Sequence, residues 1–143
     1  MTKGEMAEKY FKEGYNCTQA VFGAFVEETG MDFDQAMIYS CGFGGGVGRM
    51  REVCGAVSGM VMVISILYGS SNPKEKNDIY KRVQEVCNEF KEQNGTIVCK
   101  ELLGLVKREP TTDTEKPYKK TPCIELVRQS ATIVENYIAR NSK

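Results

Sequence analysis

The sequence predicts an all-α fold, a single-domain bundle of about five to seven helices broken by one glycine-rich internal loop. Three observations carry that expectation. Apolar residues recur every three to four positions through most of the chain, cap residues mark successive helix starts, and no segment needs a strand to explain its pattern. At 143 residues the chain has the length of one ordinary domain, residues 1–143, whose core needs no disulfide staples.

Residues 3–13 carry Met6, Tyr10 and Phe11 at helical spacing among Lys and Glu, with Gly14 as the stop. Asn16 caps a second helix from about Cys17 to Thr29, with Ala20, Val21, Ala24 and Phe25 facing the core and Gly30 as its C-cap. A short helix opens after Asp32 and holds Phe33, Ala36, Met37 and Tyr39. It runs into CGFGGGVGR, where five glycines in seven residues cannot sustain regular structure.

An apolar helix follows from about Val53. Its Gly55 and Gly59 stand four residues apart on one smooth face, suited to close packing within the chain or across a homodimer. Then Asn72 as cap, Pro73 at the first helical position and Glu75 at the third mark the start of a longer helix. That helix turns Ile79, Val83, Val86, Cys87 and Phe90 inward and breaks at Asn94 and Gly95. A brief helical turn spans Ile97 to Leu103 and ends at Gly104. Residues 107–120, KREPTTDTEKPYKK, are polar and aperiodic and read as a long surface loop. Finally Thr121 as N-cap and Pro122 as first residue launch a helix with Ile124, Val127, Ala131, Val134 and Ile138 on one stripe.

Nineteen basic side chains balance nineteen acidic ones and are scattered among them, which argues against nucleic acid and membrane surfaces as partners. The longest apolar stretch, Val53 to Tyr68, falls short of the roughly 20 residues of a spanning helix, so membrane insertion is not expected. The N-terminal MTKGEMAEKYFKEGYN shows neither a signal-peptide core nor a transit pattern, and the expected location is cytoplasmic. There, six cysteines are not presumed to be structural disulfides. The chain has no histidine, which removes the commonest general base and the commonest metal ligand.

Chemistry therefore falls to the thiols. Cys17 follows the cap Asn16, and Cys123 follows the Thr121–Pro122 pair, so both occupy first turns, where unpaired N–H groups and the helix dipole favour thiolate. Cys54 lies beside Arg49 and Arg51, whose charge is expected to act in the same direction. Cys99 meets the others only through folding, since no two cysteines stand in a C-x-x-C arrangement. Cys87 and Cys41 read as small buried hydrophobes.

The segments YNCTQAV at 15–21, GFGGGVGR and CGAVSGMVM within 42–62, GTIVCKELLG at 95–104 and the helix-opening Cys123 together resemble the redox-active protein family named for its C_GCAxxG_C_C pattern. The resemblance spans nearly the whole chain. It implies that Cys17, Cys54, Cys99 and Cys123 are the working residues and leaves Cys41 and Cys87 outside the motif.

Three functions stay open at this point. The four thiols can carry thiol–disulfide or peroxide chemistry with a redox partner or a small-molecule substrate. As an alternative, the same Cys17, Cys54, Cys99 and Cys123 can ligate zinc or an iron–sulfur cluster. The third reading is an interaction or ligand-binding module in which Gly44, Gly45, Gly46 and Arg49 of the loop receive an anion.

Overall fold

The computed structural model describes residues 1–105 and 122–141. The expected loop at 107–120 and the expected cap Thr121 lie outside the described residues. Eight α-helices and two short 3-10 turns account for the regular structure among these residues, and the only β pairing is an isolated antiparallel bridge between Val53 and Val98. The fold is all-α, with slightly more helical pieces than the sequence suggests.

Helix α1 (Lys3–Lys12) begins at Thr2, whose side chain accepts the Glu5 N–H while the Glu5 carboxylate returns to the Thr2 backbone. Asn16 and Gln19 make the same reciprocal pair at the start of α2 (Cys17–Gly23). The expected second helix is interrupted: α2 stops at Gly23, the chain turns through Ala24 and the fully buried Phe25, and α3 (Val26–Thr29) ends on left-handed Gly30. Seating Phe25 in the core takes precedence over helix continuity here. Asp32 caps α4 (Phe33–Ser40), and a 3-10 turn at Cys41–Phe43 leads into the glycine loop.

Helix α5 (Gly55–Tyr68) starts two residues later than expected, because Val53 is engaged with Val98. Asn72 accepts the Lys74 N–H and caps a 3-10 turn, Pro73–Glu75, that runs into α6 (Lys76–Asn94). The four-residue α7 (Cys99–Leu102) follows left-handed Gly95, and α8 (Cys123–Arg140) closes the bundle. Pro122, not Thr121, holds the cap position of α8, and Cys123 is its first residue.

Helix α5 packs against α2, α6 and α8, while α1 lies along α8 and α2. Phe25, Met60, Ile64, Phe90 and Tyr137 fill the main core, each worth about 1.5–3 kcal/mol of hydrophobic transfer. A smaller cluster of Phe22, Ala36 and Met37 ties α4 to α2. The face of Gly55 and Gly59 is used within the chain. A Cβ at Gly59 would stand 2.9 Å from Val21 Cβ and 3.0 Å from the Thr18 carbonyl oxygen, so α2 crosses α5 at a distance only glycine permits. No single helix among the described residues is long and apolar enough to cross a membrane.

Candidate functional site: a pocket lined by four cysteines

The close crossing of α2 on α5 brings the first turns of both helices together. Cys17 is the first residue of α2, and Cys54 is the cap residue of α5. A Cβ on Gly55 would collide with Cys17 Sγ, so the missing side chain is what admits this sulfur.

Two further elements complete the wall. The Cys54 N–H donates to the Ile97 carbonyl at 2.7 Å, the Cys99 N–H to the Glu52 carbonyl at 2.5 Å and the Lys100 N–H to the Arg51 carbonyl at 3.1 Å. These bonds fasten the start of α7 to the segment before α5 and bring Cys99 to the site. Packing of α8 against α1, α2 and α5 brings Cys123. The result is one cavity of about 250 Å³ lined by Cys17, Cys54, Cys99 and Cys123, by Asn16, Gly45, Arg49, Arg51 and Gly55, and by the apolar Phe11, Leu102, Leu103 and Leu126.

All six cysteines are free thiols. Cys54 and Cys99 are buried, Cys17 and Cys123 half-buried. The expectation that arginines lower the Cys54 pKa is corrected: burial, reinforced by the negative charge that Cys17 and Cys99 would carry, pushes this thiol up to about 12. Backbone N–H groups of Val57 and Ala56 oppose the shift without overcoming it. The expectation for Cys123 is corrected in the same way. Burial raises its pKa first, then Cys17 and Cys99, with Arg51 and its own N–H pulling the other way.

Those electrostatic couplings also describe the arrangement. Cys54 and Cys123 each feel the charge that Cys17 and Cys99 would carry, in keeping with all four lining one cavity. Among the described residues, no group of three or more Cys, Asp or Glu side chains is gathered as a metal shell. The two remaining cysteines are elsewhere. Cys87 is half-buried on α6 with its pKa raised by burial, as a small hydrophobe would be. Cys41, expected to be buried, is exposed in the turn after α4, because that turn faces away from the core.

The glycine loop is a structural brace with one edge on the pocket. Gly44 lies under the Asn16 side chain, and a Cβ there would come within 2.5 Å of Asn16 Cγ. Asn16 Nδ2 also donates to the Cys41 carbonyl at 3.0 Å, so the cap of α2 holds the loop as well. Gly46 has φ +74° and sits against Cys99 Cβ and the Glu52 N–H. The N–H groups of residues 47–52 are spent on loop carbonyls, which leaves Gly45 and Arg49 as the members of the expected anion set that reach the cavity. From the sequence, Arg51 is expected only as a charge near Cys54. Its guanidinium donates to Cys99 Sγ at 3.8 Å, across 48 residues of sequence. Val47, Arg49 and Arg51 all hold φ between 63° and 66°, a left-handed conformation that costs non-glycine residues about 1–3 kcal/mol each.

The four-cysteine order and the CGAxxG segment now have a shared location. A family profile described as "Putative redox-active protein (C_GCAxxG_C_C)" matches residues 15–137. No curated protein and no solved structure matches the chain. The match covers all of the pocket's cysteines and most of the chain, and the protein belongs to the C_GCAxxG_C_C family.

Proposed function

We propose that this protein is a dithiol–disulfide redox protein whose reactive unit is the set Cys17, Cys54, Cys99 and Cys123. The observation that carries the reading is the convergence of four thiols, from four separate elements, on one cavity. Pairwise proximity is what disulfide exchange requires, since one thiolate attacks an incoming disulfide and a neighbour resolves the mixed product. Cys17 is the sulfur best suited to attack: it is half-buried, opens α2 and lines the cavity, whereas Cys54 and Cys99 are buried. Cys54, held as a neutral thiol by burial, is not the first attacker, and resolution falls to whichever motif thiol ionises next to the mixed disulfide. The reaction needs no histidine, and the chain has none.

Single Cys→Ser variants test this reading through the thiols lost when reduced protein meets hydroxyethyl disulfide, which is small enough for the cavity. Each of the four pocket variants is expected to lose fewer thiols than wild type, while Cys41→Ser and Cys87→Ser keep the full loss from the remaining set. Equal oxidation of all six variants would overturn the assignment.

A further inference from the structure

Size, shape and charge of the cavity restrict what can be reduced there. Its volume of about 250 Å³ lies just below the roughly 300–1,000 Å³ of pockets for drug-sized ligands. Cys54 and Cys99 are only 4% and 6% exposed, so chemistry at either thiol takes place inside the cavity, whose volume suits an amino-acid-sized molecule. Phe11, Leu102 and Leu126 give it an apolar wall.

The charge is one-sided. Arg49 and Arg51 both line the cavity, and neither has a carboxylate partner among the described residues. The neighbouring Glu52 instead pairs with Lys100 at 3.9 Å. Both arginines stand on pinned backbone, the Arg49 N–H donating to the Gly44 carbonyl and the Arg51 N–H to the Gly45 carbonyl. The Arg51 guanidinium is also held on Cys99 Sγ at 3.8 Å, and a guanidinium matches carboxylate geometry. The chain as a whole carries no formal net charge, so no long-range pull on anions comes from the molecule's overall charge.

We infer that the substrate is a small organic disulfide bearing negative charge, whose anionic group meets Arg49 and Arg51 while its S–S bond faces the motif thiols. The inference rests on the dithiol reading above and adds the substrate class. A motif thiolate attacks one substrate sulfur, the substrate S–S bond breaks, and half of the substrate leaves as a thiolate. A second motif thiolate then attacks the protein sulfur of the mixed disulfide, closing a Cys–Cys bond and expelling the other half. The substrate gains two electrons and, on protonation, two S–H bonds; the protein loses two electrons and two protons. A low-molecular-weight dithiol returns it to the reduced state.

The test uses the reduced full-length chain and three small disulfides: dianionic dithiodipropionate, neutral hydroxyethyl disulfide and dicationic cystamine. Thiol loss is expected to be about tenfold faster with the dianion than with the neutral compound, and slowest with the dication. Added salt should slow the dianion alone, and in the Arg49→Gln/Arg51→Gln variant the three rates should converge. Three equal rates in wild type, or an unchanged ranking in the variant, would overturn the charge assignment while leaving the dithiol reading intact. Absence of any protein disulfide with all three compounds would instead overturn the dithiol reading, and this inference with it.

Discussion

A Gly55→Ala chain is expected to be less stable than wild type by about 1–3 kcal/mol and to lose the native placement of Cys17. Alanine favours helix interiors, so propensity alone would predict a gain. Sterics decide the sign. The added methyl would overlap Cys17 Sγ, stand 2.6 Å from Thr18 Oγ1 and lie 3.1 Å from the Phe43 carbonyl oxygen. Thr18 is fully buried and cannot step aside into solvent, so relief must come from separating α2 and α5. Gly42→Ala supplies the contrast, because its Cβ would meet nothing within 4 Å, and its effect should stay within about 0.5 kcal/mol. Urea unfolding of the two variants, with alkylation of Cys17 followed in each, checks both halves. A Gly55→Ala chain as stable as Gly42→Ala would contradict the packing described.

The second large effect is a loss of stability in alkaline solution that depends on Cys54. Its thiol is neutral when protonated, and burial raises its pKa from 9.0 to about 12. As pH rises from about 9 toward about 12, the unfolded chain releases a proton that the native chain retains. Stability from this group is fully present below pH 9 and is lost through that window, at up to ~1.4 kcal/mol per pH unit, or about 4 kcal/mol across it. Lysines and tyrosines titrate in the same range, so the informative quantity is the difference between wild type and Cys54→Ala. The variant should show a shallower alkaline decline in denaturant-derived stability. Parallel declines would mean that Cys54 ionises as an ordinary thiol.

What could be read from the sequence follows the range of the forces involved. The starts at Asn16, Asp32 and Asn72 are legible because a cap bonds to an N–H two or three residues away. The Gly55 and Gly59 face is legible as a place of close approach, though the sequence leaves open whether the partner is internal. The break between α2 and α3 is not legible, since it serves the burial of Phe25, a tertiary demand.

The same division holds at the site. First-turn positions of Cys17 and Cys123 are local and visible in the sequence. The pKa directions of Cys54 and Cys123 come out opposite to expectation because desolvation depends on the whole fold, and here it exceeds the nearby favourable dipoles and charge. Arg51 reaches Cys99 across the glycine loop, a contact no spacing announces. A residue such as Arg51, two positions past Arg49 and three before Cys54, is the nearest the sequence comes to a signal for it.

Peptide mapping of the disulfides in mildly oxidised protein decides whether the four pocket thiols act as one redox set. Crosslinks are expected only among Cys17, Cys54, Cys99 and Cys123 within one chain, with Cys41 and Cys87 recovered as free thiols. Crosslinks that run through Cys41 or Cys87, or four pocket thiols that stay reduced under conditions that oxidise glutathione, would contradict it.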